Sequence, residues 1–288
     1  HSKLFQAPHA SRYISKTQNL VYLSMTFEFD GEKYKKASNH QKEWGAKLIS
    51  EFEFQGSEHI LDLGCGDGAI TFNLASQVPG GSVLGIDASQ GMIKTAKETH
   101  KQNNLKFELL DINSINFKNE FDIIISNATL HWVKDHKQLL SNVHGALKNN
   151  GTVRFNFAAD GNCSYFYKVI KQVMQLPNYA KYFNNFVWPW YMPDIEEYKS
   201  LTEQFSFSEI TVWGENTDRN FPNAEAMIKW IDQPSIVPFL KCITSEEDAK
   251  AFRDIVVKKM VHETTQKDGT CFETFRRVNL RSTKQVTC

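Results

Sequence analysis

The sequence lacks an excess of either charge and any apolar run long enough to cross a membrane. Its 288 residues contain 33 Lys+Arg and 33 Asp+Glu, so the formal net charge is zero. Proteins dedicated to nucleic acids usually carry a basic excess, so we expect no nucleic-acid partner. The longest apolar runs, such as Phe121–Ile125, are far shorter than the roughly 20 residues of a membrane span, so we expect no membrane partner.

The sequence also lacks the residue spacings that hold a metal. The five cysteines are Cys65, Cys163, Cys242, Cys271 and Cys288. They are odd in number and widely separated, with no CxxC pair. His131 and His136 are five positions apart, which does not place them on one helix face as in helical zinc motifs. We therefore expect no metal site and no disulfide framework, in a reducing, cytoplasmic location.

Acidic residues are absent from residues 1–24, which carry Lys3, Arg12 and Lys16 and precede the first methionine, Met25. This composition is typical of a leader or an artefact outside the fold. The length suits one α/β domain with an insertion. We therefore predict that residues 25–288 form a single domain.

Five short apolar runs recur between residues 59 and 157. They are His59–Leu63, Val83–Ile86, Leu105–Leu110, Phe121–Ser126 and Thr152–Phe157. Helical periodicity precedes the first run, over Glu32–Phe54, and separates later ones, as over Gln138–Leu147 before the helix-end signal Asn149-Asn150-Gly151. Continuous apolar strands alternating with helices predict a buried parallel sheet, here over a core of residues 55–158.

The regular alternation ends after Ala158. Residues 162–204 are rich in aromatics and predict a helical insertion, which would either roof an apolar acceptor pocket or form a second hydrophobic layer on the sheet. Residues 205–280 are expected to complete the sheet. They contain predicted strands over Phe207–Trp213 and Cys271–Leu280 and predicted helices over Ala224–Ile231 and Glu246–His262.

A glycine-rich turn connects the first predicted strand to a helix within Ile60–Ala69. Gly64 and Gly66 permit a tight turn and a close approach of the backbone to a ligand. The free N–H groups of the following helix favour a carboxylate or phosphate. The same turn also satisfies the G-x-G-x-x-G/A dinucleotide pattern, so the glycines alone leave an NAD-dependent oxidoreductase open.

Acidic residues lie inside the glycine turn and at the ends of the predicted strands. Asp67 in the turn would repel a pyrophosphate, whereas a net-cationic ligand tolerates it. Asp62, Asp87 and Asp111 lie within or directly after three strands, and ligands of open α/β sheets bind at those carboxyl ends. The alternative is that these acids are helix caps or exposed turn residues.

Together these residues resemble a known family. Ile60–Ala69, Val83–Ser89 with Gly91-Met92, Leu110–Ile112 and Ser126–Trp132 resemble class I S-adenosylmethionine (SAM)-dependent methyltransferases, above all the trans-aconitate and juvenile hormone acid methyltransferases. The resemblance implies a Rossmann-like seven-stranded, mostly parallel sheet with helices on both faces and a reversed last strand. It implies SAM as cofactor and S-adenosylhomocysteine as product. The cofactor-binding residues it implies are Asp62, Gly64, Cys65, Gly66, Asp87, Ala88, Met92, Asp111, Ile112 and Asn127.

Particular roles follow from the resemblance. Asp62 would lie near the methionine ammonium, Asp87 would hold the ribose hydroxyls, and Asp111 would contact the adenine edge. Asn127 would close the site near the sulfonium. Met92 would pack on adenine, although a plain helix-core position is the alternative.

For the acceptor, the resemblance implies that Gln41 and the indole N–H of Trp132 bind a carboxylate. Gln41 as a solvated helix residue and Trp132 as a core aromatic are the alternatives. His131 is a candidate base, although a loop histidine is more often part of hydrogen-bonded structure. Arg276 and Arg277 could bind a second carboxylate or face solvent on an edge strand.

The resulting hypothesis is methyl transfer to the carboxylate of a small-molecule acid by a monomer or weak homodimer. A carboxylate is ionised at neutral pH and needs no base. Methylation of nitrogen or carbon in another metabolite or a protein is the alternative. The run Asn127-Ala-Thr-Leu130 disfavours it, because it lacks the Asn/Asp-Pro-Pro-Tyr/Phe run of many amino-group methyltransferases. A non-catalytic SAM binder and an NAD-dependent oxidoreductase are further alternatives.

Overall fold

A computed structural model describes residues 39–286, without the side chains of residues 39–42 and 233–234. The predicted leader over residues 1–24 lies outside the described residues, as does the start of the helix predicted over Glu32–Phe54. The described part of that helix is α1, Asn39–Ser50.

The main sheet has seven strands in the order β3-β2-β1-β4-β5-β9-β6. They are β1 (His59–Leu63), β2 (Ser82–Asp87), β3 (Leu105–Leu109), β4 (Phe121–Asn127), β5 (Leu147–Ala158), β6 (Phe207–Asn216) and β9 (Arg276–Lys284). The first five pair in parallel, and β9 runs antiparallel between β5 and β6. This order confirms the predicted Rossmann-like sheet with one reversed strand.

Helices cover both faces of this sheet because alternate residues of each strand point to opposite sides. The connecting helices are α2 (Ala69–Gln77), α3 (Gln90–Thr99) and α4 (His136–Ala146). On one face, Ile60 packs with Leu48 of α1 and Leu74 of α2. On the other, Leu61 packs with Leu139 of α4.

Two local predictions are wrong. The signal Asn149-Asn150-Gly151 does not end helix α4, which ends at Ala146 before β5 begins at Leu147. Asn150 has a left-handed φ of 62°. It lies in the part of β5 where the register with β4 shifts, so the three residues accommodate a strand irregularity.

The strand predicted over Cys271–Leu280 is two strands. Its first part is β8 (Cys271–Glu273), which pairs with β7 (Arg219–Phe221) in a separate two-stranded sheet. Its second part enters the main sheet as β9, which extends to Lys284. The chain therefore leaves one sheet and joins the other across Thr274 and Phe275.

A helical cap with its own hydrophobic core covers one end of the sheet. Its helices are α5 (Ser164–Met174), α7 (Ala224–Trp230), α8 (Val237–Leu240) and α9 (Glu246–Thr264). Helix α6 (Ile195–Thr202) packs instead on the main sheet, where Tyr198 shares a core with Phe157 of β5. Phe166 and Val173 of α5 share the cap core with Phe252 and Val256 of α9. The cap is thus built from the predicted aromatic insertion together with a later segment that was expected only to complete the sheet.

None of the helices in residues 39–286 is long and apolar enough to span a membrane. Four of the five cysteines fall in the described residues, and all four are free thiols.

Candidate active site

One cavity runs from the carboxyl ends of β1, β2 and β4 into the helical cap. Its first part, the cofactor half, is lined by the loops that follow these strands, and its second part, the acceptor half, is lined mostly by the cap and β9. Ligands of open α/β sheets bind at this edge.

The glycine turn gives the cofactor half its floor. Gly64 and Gly66 have left-handed φ angles of 73° and 54°. A Cβ at Gly64 would lie 2.1 Å from the side chain of Thr129, so Gly64 is required for packing. A Cβ at Gly66 would meet no protein atom within 4 Å. The space over Gly66 therefore belongs to the cavity and allows a ligand to approach the backbone.

Asp87 ties this turn to the next strand end. Its carboxylate accepts hydrogen bonds from the backbone N–H of Gly66 at 3.0 Å and of Ser89 at 2.9 Å. Asp111 accepts from the N–H of Asn113 at 2.7 Å and so caps a short 3-10 helix, Ile112–Ser114. Asp111 is therefore a helix cap, as the alternative interpretation expected, and it also lines the cavity.

Asp62 lies behind the turn instead of lining the cavity. Its side chain is 2% exposed and accepts a hydrogen bond from the Thr71 hydroxyl at 2.7 Å. Burial raises the pKa of Asp62 to about 7. The Thr71 hydrogen bond opposes this shift and the charge of Asp87 adds to it. A nearby ammonium would favour the ionised form.

The structure brings most of the predicted residues to the cavity wall. Those that line it are Gly64, Cys65, Gly66, Asp87, Ala88, Met92, Asp111, Ile112, Asn127, His131 and Trp132. Met92 is also buried in α3, as expected for a helix-core position, and its packing on adenine stays a prediction. Gln41 lies in α1, and its side chain is outside the described residues.

The cofactor half fits a net-cationic ligand better than a pyrophosphate. Asp67, Asp87 and Asp111 line it, and no described Lys or Arg does. A pyrophosphate over the turn would meet these carboxylates without a compensating cation. The residues present therefore fit SAM, whose sulfonium and ammonium are cationic, and disfavour NAD.

Aromatic side chains dominate the acceptor half. They are Trp44, Trp132, Phe166, Tyr167, Trp190, Trp230 and Phe275. The aromatic insertion thus contributes to the cavity as well as to a hydrophobic layer. The predicted site residues do not include Trp44, Trp230 and Phe275, which come from distant chain segments.

His131 is neutral and weakly basic in this site. Burial lowers its pKa to about 3, with a smaller contribution from the charge of Arg277. Its Nδ1 atom is buried and has no hydrogen-bond partner among the described residues. These properties do not suit a general base at neutral pH.

His136 has a structural role. Its Nε2 lies 2.9 Å from the Leu130 carbonyl and its Nδ1 lies 3.2 Å from the Tyr198 hydroxyl. The described part of the chain contains no cluster of His, Cys, Asp or Glu that could hold a metal.

Arg276 and Arg277 diverge. Arg277 lines the acceptor half and is 4% exposed. Its Nε donates to the Asn156 side-chain oxygen at 2.9 Å, and its guanidinium lies 4.3 Å from the Trp44 ring centre. Arg276 instead forms an ion pair with Asp218 and is not part of the cavity wall.

Comparisons with known proteins point to methyltransferases. Residues 54–205 match the family model described as a methyltransferase domain. The chain is 27% identical to a trans-aconitate 2-methyltransferase of Delftia acidovorans, over 72% of this chain and 80% of that protein. It is 26% identical to a juvenile hormone acid O-methyltransferase of Bombyx mori, over 62% of this chain and 69% of that protein.

The fold is also similar to that of a phosphoethanolamine N-methyltransferase from Haemonchus contortus, solved with S-adenosylhomocysteine. The TM-score is 0.60 at 20% identity, over 92% of this chain and 60% of that one. The family model covers more than half of the 288 residues, and the residues of the cofactor half fit SAM. The chain therefore belongs to the methyltransferase domain family and is a class I SAM-dependent methyltransferase.

Proposed function

We propose that the chain transfers the methyl group of SAM to the carboxylate of a small-molecule acid, with S-adenosylhomocysteine and a methyl ester as products. The proposal rests on two features of the acceptor half, which contains a positive charge and lacks a base. Arg277 lines the acceptor half, and the only described histidine there, His131, has a pKa of about 3. A carboxylate acceptor is attracted by the charge and needs no base.

The other titratable groups of the acceptor half do not supply a base. Burial raises the pKa of Tyr167 and of Cys163, so both stay protonated at neutral pH. An ammonium or phenol acceptor would have to lose a proton during the reaction, and a carboxylate would not.

The chemistry balances without a proton transfer. Bound SAM supplies a methyl group on a cationic sulfur, which leaves as a neutral thioether with the electron pair of the broken S–C bond. A carboxylate lone pair forms the new O–C bond. The protein's own contribution is to align the two ligands and exclude water, which the aromatic walls of the acceptor half favour.

The names of two relatives support an acid as acceptor, since one is a trans-aconitate and the other a juvenile hormone acid methyltransferase. The predicted carboxylate donors also remain part of the proposal. Trp132 lines the cavity, where its indole packs edge-on against Trp190 at 5.6 Å between ring centres. Gln41, in α1, is the second proposed donor.

Methylation of an amine is the alternative that the aromatic walls favour, since aromatic faces attract cations. Arg277 opposes it, because a cationic amine would be placed beside a buried guanidinium. We therefore rank N-methylation second.

The test is to incubate the full chain with methyl-labelled SAM and a panel of acceptors. The panel contains dodecanoate, trans-aconitate, dodecylamine and phosphoethanolamine. We expect labelled methyl ester from an acid and no labelled amine. Transfer to an amine alone would establish the alternative, and no transfer to any acid would refute the proposal.

A further inference from the structure

We propose that Arg277 binds the carboxylate of the acceptor, that Nδ1 of His131 contributes a second, neutral contact, and that the acceptor is a monoacid with an apolar body. This inference rests on the proposed function, because it adds two residues to Trp132 and Gln41, the carboxylate donors proposed above.

The charge of Arg277 is fixed in place at the wall of the cavity. Arg277 pairs with Ala158 where β9 lies beside β5. Asn156, two residues earlier on β5, accepts hydrogen bonds from Nε of Arg277 through its side chain and from Nη2 through its backbone carbonyl at 3.1 Å. Asn156 in turn donates to Asn279 at 2.7 Å. The guanidinium is thus pre-oriented by the two strands and needs little ordering when an anion binds.

The surroundings of Arg277 strengthen its attraction for an anion. Its guanidinium lies over the Trp44 ring and is almost completely buried. Coulomb attraction is several times stronger at such a site than in water. Arg277 carries the only full positive charge among the described residues that line the cavity, and the described acidic residues of the wall all belong to the cofactor half.

His131 provides a neutral polar atom in the same half. Its Nδ1 is buried and lacks a hydrogen-bond partner among the described residues. The His131 backbone is held by the N–H of Tyr191, which donates to its carbonyl at 2.8 Å. A buried polar atom without a partner destabilises the protein, and a hydrogen bond to an oxygen of the acceptor would offset this cost. Burial and, to a smaller extent, the charge of Arg277 lower the pKa of His131, so the ring stays neutral.

The composition of the wall also sets the class of acid. One guanidinium can neutralise one carboxylate, whereas a tricarboxylate would place two more charges against aromatic side chains. Those side chains favour an apolar body. We therefore infer a monoacid such as a fatty or terpenoid acid.

The test is calorimetric titration of the full chain saturated with S-adenosylhomocysteine. The probes are dodecanoate and dodecanamide, which share the alkyl chain and have head groups of similar size, one anionic and one neutral. We expect the wild type to bind the acid about 30-fold more tightly than the amide, as a charge-assisted hydrogen bond predicts. Arg277→Met should reduce this ratio to below about threefold and leave binding of S-adenosylhomocysteine unchanged. Trans-aconitate should bind more weakly than dodecanoate.

Arg276→Met is the matched control, because Arg276 is the next residue on β9 and lies outside the cavity. It should keep the wild-type ratio. Arg277→Gln is a second neutral variant with polar donors toward Asn156, for use if Arg277→Met does not fold. His131→Phe should weaken binding of the acid about 2- to 10-fold, the range of a neutral hydrogen bond.

If the wild type binds dodecanoate no more tightly than dodecanamide, the inference is overturned without any variant. It is also overturned if both neutral Arg277 variants keep the wild-type preference for the acid. Tighter binding of trans-aconitate than of dodecanoate would refute the monoacid class. The ester assay separates these results from failure of the proposed function. Ester formation with no role for Arg277 refutes only the inference, whereas selective acid binding without any ester refutes the function.

Discussion

Asp62 should make cofactor binding depend on pH close to neutrality. Burial raises its pKa to about 7 in the protein without a ligand. We propose that Asp62 lies near the ammonium of the cofactor's methionine part, so that only its ionised form binds well. The apparent Kd is then multiplied by 1 + 10^(pKa − pH), which is about 1.1 at pH 8, about 2 at pH 7 and about 11 at pH 6. Affinity should therefore fall about tenfold from pH 8 to pH 6.

Calorimetry with S-adenosylhomocysteine at these three pH values tests the prediction, because this ligand keeps the amino-acid part of SAM. At pH 7 binding should release about half a proton, which two buffers of different ionisation enthalpy reveal. Asp62→Asn should bind more weakly at pH 8 and lose the pH dependence. Asp67→Asn, a change of the same size in the same turn, should keep it. Equal wild-type affinity at pH 6 and pH 8 would show that the reasoning is wrong.

Three further predictions concern stability and the two halves of the cavity. The raised pKa of Asp62 means that its ionisation destabilises the fold as pH rises from about 4 to about 7. Without cofactor, Asp62→Asn should therefore unfold at a higher urea concentration than wild type at pH 8, with a free energy of unfolding larger by up to about 4 kcal/mol. At pH 4 its urea midpoint should be no higher than that of wild type. Gly66→Ala should abolish binding of S-adenosylhomocysteine and cost only about 1–2 kcal/mol of stability for its left-handed φ, because the new Cβ enters open cavity. Gly64→Ala should instead destabilise the fold by several kcal/mol, because its Cβ would lie 2.1 Å from the Thr129 side chain. Equal urea midpoints for Gly64→Ala and Gly66→Ala would contradict this difference in stability. Lys134→Met should raise the KM for the acid severalfold and leave binding of S-adenosylhomocysteine unchanged. The reason is that the Lys134 ammonium donates to two backbone carbonyls of the cap at 2.9 and 3.0 Å. A KM equal to that of wild type would mean that these hydrogen bonds do not shape the acceptor half.

The cofactor half could be predicted from the sequence because its residues come from short segments at strand ends. In a parallel sheet the carboxyl ends of neighbouring strands meet at one edge. Residues as distant as Gly64, Asp87 and Asn127 therefore fall together once the strands are recognised. What the sequence could not reveal is that Asp62 lies behind the turn with a pKa near 7, since this depends on burial by other elements.

The acceptor half could be predicted only in outline. Aromatic composition indicated the insertion, but Trp44, Trp230 and Phe275 meet through tertiary packing between the first helix, the late cap helices and the β8–β9 connection. The sequence also did not show which of Arg276 and Arg277 lines the cavity. Adjacent strand residues point to opposite faces, so the side to which each arginine points depends on where β9 begins. The break at Thr274–Phe275, which fixes that start, was not predicted from the sequence.

Under the proposed function, the distribution of charge along the cavity would let one site bind both ligands and release the product. Carboxylates in the cofactor half favour a cation, and Arg277 in the acceptor half favours an anion. Bringing a sulfonium and a carboxylate together in a dry cavity strengthens their attraction, and methyl transfer then removes both charges. The ester no longer has the charge that Arg277 binds, whereas a new acid molecule does. If Arg277 orients the acceptor as proposed, the same guanidinium favours exchange of product for substrate. The neutral ester should then be a weak inhibitor of its own formation.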